Sequence, residues 1–474
     1  MSFELYEYKI EDLGKVITGK TPPSKISDAF SAQGIPFVTP KDMDGRRLID
    51  KTERYLSSQG IEAVRNCLLP QNSIAVSCIG SDMGKAVLLP GESITNQQIN
   101  SIVVDSKRFD YKYVYYYLST LQDEFKAISG GSATPILNKW HFSQFKVSLP
   151  IRPVQDKISL ILDSLDAKIE VNTEINQTLE QMAQVLFKSW FVDFEPVKAK
   201  IAALEAGGSQ EDATLASMSA ISGKDTDTLA VFEREHPEQY AELKATAELF
   251  PSAMRESELG AIPEGWTLSY LRNHINILNG YAFKSPNYTS EGIFVLRTKN
   301  FHANHYVERL EDDVFLPECF LKDYSKYNCE PYDYHMVMVG ASIGHSAVIY
   351  PHTLPALRNQ NMWCFRPNGQ SVVGKAYTKN ILDEIIGGLK GFASGSAREF
   401  FRKGDFENKM IVSANEEIHN LFEKLCFPLI EQQGALCAQS ERLTQLRDTL
   451  LPKLLSGEIT LPEAEQAVSE AENV

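Results

Sequence analysis

What this 474-residue chain lacks narrows the field first. Its seven cysteines, at 67, 78, 319, 329, 364, 426 and 437, are odd in number and form no C-x-x-C, so neither a disulfide framework nor a zinc ribbon is expected. They read as reduced, partly buried thiols of a cytoplasmic protein with no metal site. No apolar run approaches the ~20 residues that span a bilayer, so no membrane partner is expected. The opening stretch Met1–Leu13 also lacks an apolar core of signal-peptide length. Basic residues are outnumbered, 47 Lys and Arg against 62 Asp and Glu, for a net charge of −15. Spread evenly, that charge would repel a polyanion.

It is not spread evenly. Residues 1–150 carry 17 basic and 16 acidic side chains, and residues 265–412 carry 16 and 14, so both blocks are close to neutral. The excess acid sits in 193–264, with 6 basic and 15 acidic residues, and in 458–474, with five acids and no base. A basic face on either large block is compatible with this composition, and nucleic acid is not excluded.

Gly14–Thr21 reads GKVITGKT, a match to the phosphate loop G-x-x-x-x-G-K-[ST]. Such a loop needs a buried strand before it and a helix opening after it. Here Pro22 and Pro23 remove two N–H donors and bias Thr21 toward extended backbone. The stretch before the match, Tyr6–Leu13, is charged and alternating. An incidental match is favoured, and a P-loop nucleotide-binding protein stands as the alternative function.

The chain also repeats itself. Gly34–Asp42 (GIPFVTPKD) resembles Gly292–Asn300 (GIFVLRTKN). Ile79-Gly80 returns as Ile343-Gly344, Asn96-Gln97 as Asn359-Gln360, and Ser129–Ala133 as Ala393–Ala397. An ordered series at an offset of roughly 260 residues argues for two copies of one unit. Near Gly280 the second copy keeps a glycine turn after a strand but no phosphate-loop pattern. Each copy opens with short alternating runs, such as Asn72–Gly80 (NSIAVSCIG), mixed with helical stretches, which predicts a compact α+β domain. Each closes with a long helix. Its heptad positions are Ile158, Leu165, Asn172, Leu179 and Leu186 with Leu162, Ile169, Asn176, Ala183 and Trp190 in the first copy. In the second they are Phe422, Leu429, Leu436, Leu443 and Leu450 with Leu425, Gln432, Gln439, Leu446 and Lys453. Pro428 is expected to kink this second helix. Amides in the middle of a heptad seam lower stability but fix register and partner, so the two helices are expected to pair, antiparallel, as an intramolecular coiled coil. The other arrangement has each helix packed on its own domain. A helix of ~40 residues spans about 60 Å.

Four segments resemble a known family: Leu179–Lys200 (LEQMAQVLFKSWFVDFEPVKAK), Glu248–Trp266 (ELFPSAMRESELGAIPEGW), Ser394–Phe401 (SGSAREFF) and Leu446–Ile459 (LRDTLLPKLLSGEI). They are similar to the specificity subunits of type I restriction–modification systems, and the similarity covers nearly the whole chain. The resemblance implies two globular target recognition domains, 1–150 and 265–412, and two conserved helices, 151–200 and 413–458. An acidic central connection, 201–264, and an acidic tail, 459–474, complete the chain. The stretch 201–247 is expected to be partly helical and mobile. The resemblance further implies that each recognition domain reads one half of a bipartite duplex DNA target and that the chain is not itself an enzyme. It would dock two modification (methyltransferase) subunits carrying S-adenosylmethionine, and restriction (translocase/nuclease) subunits in the full complex. The chain contains no [DN]-P-P-[YF], the motif such adenine methyltransferases use. A scaffolding coiled-coil protein with no nucleic-acid role is a third reading.

Sequence readout needs Arg or Lys on guanine and Asn or Gln on adenine, while phosphates take Lys, Arg, hydroxyls and backbone N–H. In the first domain the candidates are Lys41, Arg46, Arg47, Ser81, Lys85, Gln98, Asn100, Ser132, Thr134 and Lys139. In the second they are Arg297, Lys299, His345, Asn361, Ser396, Arg398, Arg402 and Lys403. Positions that differ between the copies are the expected base readers, and positions that recur, such as Asn96-Gln97, fit a scaffold. Phe187, Trp190, Phe191, Leu450, Leu451, Leu454 and Leu455 either cap the helix pair as core or form exposed patches that dock the modification subunits.

Overall fold

Strands whose residues are apolar on both faces must be covered on both faces, and the alternation of side chains shows how this is done here. The computed structural model describes residues 3–80, 82–128, 136–340, 342–393 and 401–472. They fall into two units, Met1–Val171 with Gln439–Val474, and Asn172–Ala438.

In the first unit the main strands are β1 (Tyr6–Lys9), β2 (Gly14–Thr18), β3 (Ile35–Val38), β4 (Tyr55–Leu56), β5 (Ser73–Ser77), β6 (Ala86–Leu89), β7 (Ile94–Thr95) and β8 (Ile99–Val104). Helices α1 (Tyr111–Ser119) and α2 (Lys139–Gln144) and strand β9 (Lys146–Leu149) follow. An antiparallel sheet runs β2-β8-β5-β6. One face, with Ile74, Val76, Leu88 and Ile102, packs on Tyr113 and Phe125 and on Ile158, Leu162 and Leu165 of the first long helix (Arg152–Phe187). The other face, with Ile17, Ala75, Val87, Leu89 and Ile99, packs on Phe37 and Leu56 of a second sheet. In that sheet β3 is antiparallel to β4 and parallel to β7, and β1 pairs with β9 apart from both sheets. The segment 439–456 of the second long helix (Glu416–Ser456) closes this unit. Its Leu443, Leu450 and Leu454 join the same core, and Arg447 bonds Asp166 at 2.7 Å.

The second unit repeats this head strand for strand. The main strands of this head are β10 (Thr267–Tyr270), β11 (Ile275–Asn279), β12 (Ile293–Leu296), β13 (Phe315–Leu316), β14 (Tyr334–Val337), β15 (Ser346–Val348), β16 (Ala356–Arg358) and β17 (Met362–Pro367). Helices α3 (Lys375–Ala393) and α4 (Lys403–Glu407) and strand β18 (Met410–Ser413) follow. The main sheet runs β11-β17-β14-β15, β12 pairs antiparallel with β13 and parallel with β16, and β10 pairs with β18. Registers correspond too. Thr18 faces Asn100 as Asn279 faces Trp363, and Val76 faces Ala86 as Met336 faces Ser346.

These registers correct one sequence pairing. After β5, Gly84 N–H donates to Ser77 C=O and Ser77 N–H to Lys85 C=O; after β14, Gly344 donates to Val337 and Val337 to His345. Gly80 therefore corresponds to Gly340, not to Gly344, which matches Gly84. All four glycines have positive φ, from 76° to 92°, so the G-x-x-x-G pattern offers two frames four residues apart.

Within the second unit Asn176 meets Cys437 at 3.4 Å while Glu180 meets Gln433 at 3.2 Å, so the long helices pair antiparallel. The buried seam of the second helix is Phe422, Cys426, Ile430, Gln433 and Cys437. The sequence register is wrong by one residue here. Leu425 is 42% exposed and Gln432 is exposed, because Cys426 and Ile430 supply the better apolar face. The helix runs uninterrupted through Pro428, which lies exposed.

The central segment is more built than a mobile connection. It forms four helices, Glu195–Glu205, Gln210–Ser222, Thr226–Glu235 and Pro237–Leu249, with Met218, Leu229 and Ala247 buried together. Ser209 and Asp225 cap two of them, and Gly223 (φ 67°) ends one in the left-handed conformation. The FKSWF aromatics are core rather than docking patches. Phe187, Trp190 and Phe191 are at most 5% exposed and pack edge-on to Phe250, Phe422 and Tyr377. Leu450, Leu454 and Leu455 are also buried, in the first unit, and Leu451 is half-buried. Residues spaced i, i+3, i+4 share one helix face, and in both helices that face turns inward. Among the described residues no helix is long and apolar enough to cross a membrane.

Candidate nucleic-acid interface

In the first head, backbone hydrogen bonds draw four loops to one end of the main sheet. Leu137 N–H donates to Cys78 C=O at 2.9 Å and Cys78 N–H to Gln98 C=O at 2.8 Å. Lys20 N–H donates to Thr95 C=O at 2.9 Å, and the Thr21 hydroxyl donates to the Gln97 side chain at 2.7 Å. The turn 78–85, the loop 95–98, Lys20-Thr21 and the start of α2 are thereby gathered. Gly19 allows it, since a Cβ there would strike Thr95 and Asn96 backbone oxygens. This disposes of the phosphate-loop alternative. Gly14–Thr18 is itself a strand, no helix opens after Thr21, and the glycine serves close strand approach.

Lys20, Lys41 and Lys139 are exposed. Burial pushes the Cys67 thiol up, against a smaller downward pull from the charges of Lys20 and Lys139. Lys85 is 38% exposed and pairs with Asp82 at 2.9 Å. Gln98 is half-buried and accepts from the Asn96 amide at 3.0 Å. Arg46 is exposed but bound to Asp44 at 3.0 Å and Asp50 at 3.4 Å.

Two candidates of the first head are not at this surface. Arg47 is 12% exposed and bonds Asp163 at 2.6 Å, Glu170 at 3.0 Å and the Tyr116 hydroxyl at 3.2 Å, with Asp166 at 3.7 Å. Burial opposes its charge, but the Asp163 hydrogen bond and the neighbouring carboxylates win and raise its pKa. Arg47 thus clamps the head to the first long helix. Asn100 is 2% exposed, donates to Cys78 Sγ and Leu137 C=O, and accepts from Thr18, so it holds the sheet together.

The second head has the same frame with other side chains. Phe401 N–H donates to Met338 C=O, as Leu137 does to Cys78, and Met338 N–H donates to Asn361 C=O, as Cys78 does to Gln98. Gly280, like Gly19, lies against a backbone oxygen, that of Asn359. Asn361 (φ 71°) and Arg402 are exposed, and Lys403 pairs with Glu407 at 3.3 Å. His345 matches Lys85 in position; its ring meets His302 C=O at 3.2 Å and packs edge-on to Phe301 and His305. Arg297 and Lys299 are tied to the acidic loop, both donating to Asp312 C=O, at 2.8 and 3.2 Å. Trp363, matching Asn100, is 4% exposed against Phe406. The candidates Ser81, Ser132, Thr134, Ser396 and Arg398 lie outside the described residues.

Sequence reasoning missed Lys20, read only as a phosphate-loop lysine, and Trp140, which no pattern marked. Asp333, His335 and Cys364 bring ligand atoms within 4.8 Å of one another. However, Arg366 takes both Asp333 oxygens at 2.9 and 2.5 Å, and burial, together with Arg358 and Arg366, lowers the His335 pKa to about 4. The two guanidinium groups make this a poor seat for a cation.

Both sequence and fold have known relatives. Residues 4–181 match the type I restriction modification DNA specificity domain. The chain is 32% identical over 325 residues to the type I restriction enzyme HindI specificity subunit of Haemophilus influenzae, covering 67% of this chain and 70% of that protein. It is 25% identical over 464 residues to the MjaIX specificity subunit of Methanocaldococcus jannaschii, covering 96% and 93%. In fold it is similar to the solved S subunit of the type I restriction-modification system of M. genitalium, with a TM-score of 0.51 at 14% identity over 96% of each chain.

Proposed function

This chain belongs to the type I restriction enzyme specificity subunits, and from that we propose that it is the non-catalytic DNA-reading subunit of a methyltransferase and endonuclease complex, each head contacting one half of a bipartite duplex target. The observation that carries this reading is the repeated sheet end. Equivalent backbone positions present different side chains, Gln98 against Asn361 and Lys85 against His345, as two unlike half-sites require. Two modification subunits would bring S-adenosylmethionine and the chemistry, and restriction subunits would join them in the full complex. With the FKSWF aromatics buried, docking falls to the exposed apolar residues of the first long helix. These are Leu160 (70% exposed) and Val171 in the first unit, and Ile175, Met182 (53%) and Val185 (68%) in the second. The test is methylation mapping of DNA from cells that carry the modification subunit, with and without this chain. An adenine-modified two-part sequence that depends on the chain is expected. An unchanged methylation map would defeat the reading.

A further inference from the structure

Of the four tryptophans, Trp190, Trp266 and Trp363 are 0, 2 and 4% exposed, whereas Trp140 is 66% exposed. A large apolar ring left in water forfeits the burial that holds the other three. Trp140 stands on α2, one residue after Lys139, at the gathered end of the first head's sheet. Among the described residues its ring meets one other ring, that of His141, edge-on at 5.1 Å. Ile136, 57% exposed, lies at the same end, where it bridges Ile79. Lys139 and Lys20 are both exposed, and among the described residues neither is shown with an acidic partner. An exposed indole at the same sheet end as two exposed lysines matches a surface that is apolar in its groove and anionic along its edges. That is duplex DNA, with base edges and deoxyribose between phosphates. In the second head the equivalent position, read from the β9 and β18 registers, is Gly404, so the feature belongs to one head alone.

We infer that Trp140 is an apolar DNA contact of the first head, seated against the duplex of one half-site while Lys20 and Lys139 take the neighbouring phosphates. The inference rests on the DNA-reading function proposed above.

Because the other three tryptophans are buried, acrylamide quenching of the full chain's fluorescence reports on Trp140. The probe is a duplex enriched from a randomised pool by binding to the chain with its modification subunits. That duplex is expected to protect Trp140 from acrylamide, and Trp140→Phe to abolish the protected signal while keeping most of the affinity. Trp140→Ala should weaken binding about tenfold with an unchanged salt slope, whereas Lys139→Ala should reduce the slope by about one. If the duplex binds and Trp140 stays open to acrylamide, or if Trp140→Ala binds as well as the parent, the inference falls and the DNA-reading function stands. If the modification subunits protect Trp140 without DNA, it is a subunit contact and the inference falls likewise. If no duplex is enriched at all, both fall together.

Discussion

The two heads share a backbone and part company in their interiors. Where the first buries Asn100, bonded to Thr18, Cys78 and Leu137, the second buries Trp363 against Phe365 and Phe406. Where the first has Ala75, the second has His335, fully buried, at the same register position. One is braced by an amide and the other by an aromatic wedge. Sheet order and turn geometry survive both choices, so the frame tolerates exchange of interior chemistry if each polar group is satisfied or each volume filled.

The largest expected effect comes from mixing the two solutions. Trp363→Asn should cost about 4 kcal/mol in denaturant unfolding of the full chain, since it opens a cavity beside Phe365 and Phe406 and sets an amide among those rings. A loss under about 1 kcal/mol would show that the two interiors are interchangeable.

Next comes the way each head holds the first long helix. The first uses Arg47 on Asp163, Asp166 and Glu170, and the second uses the buried Lys379 on Glu180 and Asp383. Arg47→Met should lower stability by about 2 kcal/mol, less than a full buried-pair loss because Lys112 and Arg447 still face the acids. DNA affinity per folded molecule should stay unchanged. A fall in affinity at intact stability would return Arg47 to the DNA surface.

The heads should also differ in acid. Of nine histidines the first unit holds only His141, which is exposed, while the second buries His335 and His419. Burial lowers the pKa of each to about 4, His335 against the pull of Asp333 and His419 with added help from His274. The folded state thus keeps both neutral where the unfolded chain protonates near 6.5. Their contribution is complete above pH 6.5 and is lost as pH falls toward 4, at about 1.4 kcal/mol per pH unit for each. Hydrogen exchange at pH 7 and 5, corrected for intrinsic rate, should show β14 and β17 losing protection while β5 and β8 hold. Equal losses in both heads would contradict this.

The smallest effect is expected at the matched turn position. Lys85→Ala should reduce the salt slope of DNA binding by about one and weaken all duplexes alike, whereas His345→Ala should leave the slope unchanged at pH 7.5.

The fold was legible because alternating runs such as Ser73–Ser77 and the ordered repeat are local or pairwise signals. What failed was anything needing a choice between near neighbours. Gly80 or Gly84, Leu425 or Cys426, and Gln432 or Gln433 are each a step of one to four residues, and composition cannot break the tie. At the candidate site, Lys139 and Arg402 were readable as exposed cations, but Arg47 was not readable as a clamp. Its partner Asp163 lies 116 residues away, and only the folded chain sets the two side by side. Trp140 was silent for the opposite reason, since a single aromatic in a polar stretch carries no periodicity.

The acids that Arg47 neutralises limit how freely this head could be exchanged. A foreign domain grafted onto the same helix would arrive opposite Asp163, Asp166 and Glu170, and without a cation at the matching loop position it would leave three clustered carboxylates, Asp166 of them buried, with one counter-charge fewer. Chimaeras built at the start of that helix should therefore succeed or fail by whether the donor carries an arginine there, or by whether the three acids are replaced along with it.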